Sequence, residues 1–131
     1  MTAPAQRILV VEDNLPNLKM LEAKLRDRSF EVHVAMNGTE ALGLVDAQDF
    51  DLVLLDVMMP GLDGFEVCRQ IKGRPRPSPV PVIMITALDT PTDRQAGLLA
   101  GADDFLVKPV EDEVLFGRMR DLVRRRVLKA V

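Results

Sequence analysis

Short apolar runs alternate along the chain with longer stretches in which apolar residues recur every three or four positions. The first pattern is typical of β-strands and the second of amphipathic helices. Runs 8–11 and 52–55 are continuously apolar, which predicts strands covered on both faces, whereas run 30–35 alternates and is predicted to be an edge strand. The remaining predicted strands are 82–86 and 105–107.

Residues that cap helix N-termini mark where the predicted helices begin. Asn37 and Asp63 are each followed three positions later by a glutamate, and Thr90 is followed directly by a proline. Asn14 is predicted to cap the first helix in the same way. The last helix is predicted to begin near Glu111 and to dock on the sheet through an apolar stripe, Leu115, Met119, Leu122 and Val123.

The segment around the fourth helix has the weakest pattern. Gly97 and Gly101 interrupt a poor apolar stripe, so this helix is predicted to be the most mobile. Ahead of the fourth strand, prolines occupy four alternating positions within 73–81. They predict an extended surface loop, because proline fits neither a helix interior nor a central strand.

Strands and helices in alternation predict a parallel sheet with right-handed crossovers and helices on both faces. The C-terminal ends of all strands then lie on one edge, where open α/β sheets bind their ligands. Glu12 and Asp13 follow the first strand, Asp56 follows the third, Thr86 ends the fourth and Lys108 follows the fifth. We therefore expect these five side chains to gather, since charged groups are seldom buried without partners.

Composition narrows the class of protein. The 131 residues suit a single domain over 1–131, with a core over about 6–124 and a basic helical end, 125–131, expected to lead into an output domain. A net charge of −3 gives no support to a nucleic-acid or membrane partner. The sole cysteine, Cys68, is predicted to fill the core. Without a secretion signal or an apolar membrane-spanning stretch, a cytoplasmic location is expected.

Three carboxylates at one edge of a sheet need positive charge beside them. Two negative unit charges about 4 Å apart repel each other by roughly 4 kcal/mol at an effective dielectric near 20. Lys108 supplies one positive charge, and oxygen ligands favour Mg²⁺ or Mn²⁺ as the second. A carboxylate in this setting can attack a phosphoryl group. The metal ion, Lys108 and the Thr86 hydroxyl would each take one phosphoryl oxygen.

Four segments together resemble the motifs of response-regulator receiver domains, and their order and spacing match over nearly the whole chain. They are Glu12-Asp13, the run 54–64, Ile85-Thr86-Ala87 and Lys108-Pro109. The resemblance implies a flavodoxin-like (CheY-like) α/β fold with a doubly wound, five-stranded parallel sheet of strand order 2-1-3-4-5. It also implies a phosphoacceptor domain that is not an enzyme, beyond assisting its own phosphorylation and dephosphorylation.

The same resemblance implies a metal site next to the acceptor. Asp13, Asp56 and the backbone carbonyl of Met58 would bind Mg²⁺ directly, and Glu12, where the family often has aspartate, would act mainly through water. Asp56 would accept a phosphoryl group from a sensor histidine kinase or a phosphotransfer protein.

The resemblance further assigns a conformational switch. Thr86 would turn toward the phosphoryl group while the ring of Phe105 moves inward, and Lys108 would balance the charge. The bond between Lys108 and Pro109 would be cis. The surface formed by the fourth helix, the fifth strand and the fifth helix would then read the signal, as a phosphorylation-dependent homodimer or toward an output domain.

Segments 21–25, 85–89 and 115–124 are similar to the first receiver domain of response regulators of the PleD type, which carry a diguanylate cyclase output domain. The 131 residues contain no cyclase signature of the Gly-Gly-Asp-Glu-Phe type. Any cyclase activity would therefore belong to another segment.

Three other readings use the same fold. A flavin binder needs a hydroxyl- and glycine-rich loop after the first strand, but this chain places Glu12-Asp13 there, which repels a phosphate. An aspartate-dependent phosphohydrolase commonly needs a second acid two residues after the nucleophile, where this chain has Met58. A phosphorylation-independent interaction module does not explain why Thr86 and Lys108 accompany the acids.

Overall fold

The structure is a computed structural model that describes residues 5–58, 63–74 and 79–130. Most of the predicted turn after Met58 (59–62) and part of the proline-rich loop (75–78) lie outside the described residues. Where the chain is described, the strands are β1 Arg7–Val11, β2 Glu31–Ala35, β3 Leu52–Leu55, β4 Val82–Thr86 and β5 Asp104–Val107. The helices are α1 Leu15–Asp27, α2 Gly38–Ala47, α3 Gly64–Lys72, α4 Pro91–Leu99 and α5 Asp112–Ala130.

The described strands form one parallel sheet in the order β2-β1-β3-β4-β5, which confirms the predicted fold. Strand β2 lies at an edge, as predicted, but its burial does not alternate cleanly. Val32 and Ala35 are buried, His33 is half-buried and Val34, expected on the apolar face, is exposed. The other edge, β5, begins at Asp104, one residue earlier than its apolar run. Helix α5 begins one residue after the predicted Glu111.

Side chains that alternate along the strands divide the interior into two apolar layers. One layer packs under α1 and α5 and contains Ile8, Val10, Leu18, Leu25, Leu54, Leu115 and Met119. The other packs under α2, α3 and α4 and contains Leu9, Val11, Val45, Leu55, Val67, Cys68 and Met84. Cys68 is fully buried, and its thiol donates to the Ala100 carbonyl at 3.5 Å. This burial confirms the predicted place of Cys68 in the core, and it raises the pKa of the thiol to about 11.

All four predicted caps are present. The side chains of Asn14, Asn37 and Asp63 each accept a hydrogen bond from the backbone N–H three residues later. Thr90 forms a reciprocal capping box with Asp93 at the start of α4. Because caps satisfy N–H groups that the helix itself leaves open, each one determines where its helix begins.

Helix α4 packs weakly, as its composition predicts. Only Gly97 is buried among its residues, while Leu98 and Leu99 are 64% and 76% exposed. At the end of the described side chains, Arg126 of α5 donates to the Phe50 carbonyl at 2.6 Å, so α5 packs on the domain at least as far as this residue. None of the helices in the described part of the chain has both the length and the apolar character needed to cross a membrane.

Candidate functional site at the carboxyl edge of the sheet

The sheet ladders continue one residue past three strand ends, and this extension positions the charged side chains. The backbone N–H of Glu12 donates to the last carbonyl of β2 at 3.0 Å. Likewise, the N–H of Asp56 donates to the last carbonyl of β1 at 3.0 Å, and that of Lys108 to the last carbonyl of β4 at 2.8 Å. Each residue is therefore held at the same edge with its backbone satisfied, as predicted from the strand ends.

Lys108 joins the two buried acids. Its Nζ lies 2.8 Å from Oδ2 of Asp56 and 3.4 Å from Oε1 of Glu12. Asp56 is 8% exposed and Glu12 is 5% exposed. Oδ1 of Asp56 accepts from the backbone N–H of Met58 at 2.9 Å, and Oε1 of Glu12 accepts from the side-chain amide of Asn17 at 3.1 Å. The acceptor carboxylate predicted from the sequence is thus fixed through both of its oxygens.

The site has more negative than positive charge. Burial, reinforced by the nearby carboxylate of Asp56, raises the pKa of Glu12 to about 7 despite the opposing effects of Asn17 and Lys108. Burial works against the positive charge of Lys108, but its contacts with Asp56 and Glu12 outweigh it and raise the pKa of the lysine. Oε2 of Glu12 is buried without a hydrogen-bond partner. An additional cation would satisfy this oxygen and lower the repulsion.

The predicted metal ligands are brought to one edge but do not form a ready-made cluster. In the described ranges, no three acidic, histidine or cysteine side chains are arranged so that they could hold a metal ion. Asp13 is half-buried beside Glu12, and Met58 is exposed next to Asp56. Mg²⁺ is usually bound through one or two carboxylates and several waters, so this donor set suits Mg²⁺ better than a metal that needs a full protein cage.

The predicted switch residues lie on β4, on β5 and just after β5. Thr86 is fully buried, and its hydroxyl oxygen accepts from the backbone N–H of Leu88 at 3.2 Å. Phe105 is 8% exposed, so its ring already lies inward under α4. The bond between Lys108 and Pro109 is cis, as expected.

A cavity of about 480 Å³ opens from the acids between α1 and α5. Glu12, Asp56 and Lys108 line its polar end, and apolar side chains including Met20 and Val110 line much of the rest. The ion pair of Lys24 with Asp112 also borders it. Sequence reasoning missed this α1 wall and missed Asn17 as the partner of Glu12. The signal for Asn17 was its place in the first turn of a helix that starts directly after the acids, on the side facing the sheet edge.

Comparison with known proteins identifies relatives over almost the full chain. The family model described as the response regulator receiver domain matches residues 8–120. The response regulator PleD of Caulobacter vibrioides is 50% identical over 122 residues, which are 93% of this chain and 27% of PleD. The chain therefore spans about a quarter of the length of that relative.

Solved structures of receiver domains share the fold. A CheY-like receiver domain protein from Methanospirillum hungatei JF-1 superposes with a TM-score of 0.88 at 27% identity, covering 96% of this chain and 99% of that one. The receiver domain of a sensor histidine kinase from Pseudomonas aeruginosa PAO1 superposes with a TM-score of 0.84 at 33% identity, covering 92% and 98%. That structure holds a magnesium ion coordinated in its active-site cleft.

The family match and the geometry at the strand ends point to the same class of protein. The chain is homologous to response regulators of two-component systems, in which phosphorylation of an aspartate is the expected mechanism. With the sheet order, the buried acids and the family model in agreement over 8–120, this chain belongs to the response regulator receiver domain family.

Proposed function

We propose that Asp56 accepts a phosphoryl group from the phosphohistidine of a sensor histidine kinase or a phosphotransfer protein. The observation that supports it best is a buried carboxylate held between the Lys108 ammonium (2.8 Å) and the Met58 N–H (2.9 Å). One carboxylate oxygen attacks phosphorus while the bond from phosphorus to the histidine nitrogen breaks and that nitrogen keeps the electron pair. Because the other ring nitrogen of the phosphohistidine carries a proton, the products are an acyl phosphate and a neutral imidazole. Asp56 also lines the cavity that opens between α1 and α5.

Magnesium fits the site as the ion that neutralises the charge of the transferring phosphoryl group. The carboxylates of Asp13 and Asp56 and the carbonyl of Met58 would hold it, with Glu12 acting through water. Two observations support this set: Oε2 of Glu12 is buried without a partner, and a structural relative binds magnesium in its own cleft.

Lys108 and Thr86 then respond to the new group. The ammonium that now bonds Asp56 stays with the phosphoryl oxygens. The Thr86 hydroxyl, which now accepts from the Leu88 N–H, rotates to donate to the phosphoryl group. Because Phe105 is already inward in this structure, phosphorylation stabilises a conformer that the protein samples beforehand.

The signal is read on the surface formed by α4, β5 and α5, through a phosphorylation-dependent homodimer. Leu98 and Leu99 support this surface, because two adjacent exposed leucines on one helix favour a partner. We further propose a cytoplasmic regulator whose output domain lies in another segment and, by similarity to PleD, is a diguanylate cyclase.

Labelling with acetyl phosphate and Mg²⁺ tests the acceptor. We expect intact-mass analysis to show one added phosphoryl group in the wild type and none in Asp56→Asn. Asp27→Asn makes the same chemical change at an exposed residue of α1 and should be labelled normally. Undiminished labelling of Asp56→Asn would contradict the assignment.

Sedimentation with beryllofluoride and Mg²⁺ tests the readout separately. The wild type should dimerise, and Leu98→Ser with Leu99→Ser should stay monomeric while Asp56 is still labelled. A wild type that remains monomeric would refute the dimer but not the acceptor.

A further inference from the structure

Gly97 occupies a position where a glycine needs an explanation. It lies inside α4 and is the only buried residue of that helix. Glycine in a helix interior is less favourable than alanine. Its φ lies outside the left-handed region, unlike that of Gly101 (+99°), so alanine could adopt the same backbone conformation. The reason for glycine is therefore the space around its Cα.

The ring of Phe105 takes that space. A Cβ added at position 97 would lie 2.8 Å from Cδ2 of Phe105 and 3.1 Å from Sδ of Met84. Carbon atoms that are not bonded make contact at about 3.5–4.0 Å, so the shorter of these distances is a clash. Phe105 is 8% exposed and Met84 is fully buried, so neither side chain can retreat further into the packed core.

A second contact from the same helix holds the ring. The guanidinium of Arg94, one turn before Gly97, lies 5.5 Å from the centre of the Phe105 ring, within the range of a cation–π interaction. Arg94 is itself paired with Asp89 at 2.8 Å. Helix α4 thus contacts the inward ring at two successive turns, once with a side chain and once with bare backbone.

We propose that Gly97 is a positioning residue of the switch, which allows Phe105 to lie inward because it has no Cβ. The inference rests on the proposed function, in which the inward ring belongs to the phosphorylated state. Any side chain at position 97 would displace the ring or lift α4, and the equilibrium would shift toward the outward conformer.

The test compares two helix glycines. Gly97→Ala adds the clashing methyl group, whereas Gly43→Ala adds one in α2 where nothing lies within 4 Å. With 4-fluorophenylalanine placed at position 105, the ¹⁹F resonance should shift in Gly97→Ala and stay unchanged in Gly43→Ala. Dimerisation induced by beryllofluoride and Mg²⁺ should weaken about tenfold in Gly97→Ala alone, which is typical of overpacking a tight core. Labelling of Asp56 should persist in both variants.

A double variant checks that the ring is the obstacle. Gly97→Ala combined with Phe105→Leu should recover part of the thermal midpoint lost by Gly97→Ala, a non-additive effect expected only for residues in contact. The assignment is wrong if Gly97→Ala leaves the ¹⁹F resonance and the dimerisation unchanged. It is also wrong if Gly97→Ala fails to fold and the double variant with Phe105→Leu fails to fold as well. The ¹⁹F measurement on the Phe105 ring needs no phosphodonor. Failure of the proposed function would appear as a wild type that is not labelled, and it can therefore be told apart from failure of the Gly97 assignment.

Discussion

The acceptor edge of the sheet and the α4 side of the molecule are built in opposite ways. At the edge, Asp56 and Glu12 are buried and tied to one ammonium group, so their geometry is determined by several polar contacts. Helix α4 buries a single glycine and leaves two leucines exposed. The proposed acceptor is held by several contacts, whereas the helix proposed to report its state has few contacts and costs little to move. A small change at the first can therefore become a larger displacement at the second.

Helix α4 is not free of specific contacts, because polar groups bond at its start and just after its end. Thr90 and Asp93 form the capping box at its start. Beyond its end, Asp103 accepts from the ammonium of Lys72 at 2.8 Å and from the backbone N–H of Val82 at 2.8 Å. The capping box thus fixes where the helix begins, and the segment after its end is attached to α3 and β4.

Lys108→Ala breaks the rigid region and should have the largest effect. Two buried acids would lose their cation, and we expect the free energy of unfolding at pH 8 to fall by about 3 kcal/mol, at the low end for a broken buried pair because the lysine is a third exposed. Urea unfolding measures this loss. Labelling of Asp56 with Mg²⁺ should persist while dimerisation with beryllofluoride is lost. Lys19→Ala removes an exposed lysine as control, and normal dimerisation of Lys108→Ala would remove its proposed role.

The pH dependence of stability tests the charge of the same edge. The pKa of Glu12 is about 7 in the folded protein against 4.5 ordinarily, so between these values the folded protein binds a proton that the unfolded chain has lost. This contribution is fully present below pH 4.5 and is lost as the pH rises through 7, an effect of about 3 kcal/mol. Urea unfolding in a chelator measures it.

Two variants separate Glu12 from other acids. Glu12→Gln should flatten the pH profile, whereas Glu113→Gln, at an exposed position of α5, should not. Added Mg²⁺ should also flatten the profile, because a cation beside Glu12 favours its ionised form. A Glu12→Gln profile identical to that of the wild type would show that the acid does not carry the effect.

Thr90→Ala tests the α4 side of the molecule with a smaller loss of stability. Loss of this cap should cost about 1 kcal/mol, and so should Asn37→Ala on α2. Only Thr90→Ala should speed amide hydrogen exchange in α4 and alter dimerisation, because its cap holds the reporting helix. Equal effects of the two variants on dimerisation would show that general stability, and not α4, controls the response.

The sequence pattern predicted the features that follow from strand direction and from the spacing of apolar residues. Parallel strands bring their C-terminal ends together, so Glu12, Asp56 and Lys108 could be placed at one edge without coordinates. The pattern did not show that Asn17 would bond Glu12, or that no group of three acids would be arranged to hold a metal among the described residues. Those outcomes depend on rotamers and on distances of a few ångströms between elements.

The same limit applies to Gly97. The sequence predicted that this glycine would weaken the fourth helix, and α4 does pack poorly. That an aromatic ring from β5 fills the space above it follows only from the way the helix crosses the sheet.

The burial of Cys68 makes the domain convenient for spectroscopy. Its thiol is fully shielded and stays protonated at neutral pH, since its pKa is about 11. Thiol reagents attack the thiolate, so they should leave this residue unmodified in the native protein. A cysteine introduced on the exposed face of α4 would then react alone, and fluorophores or spin labels could follow the helix without first replacing the native thiol.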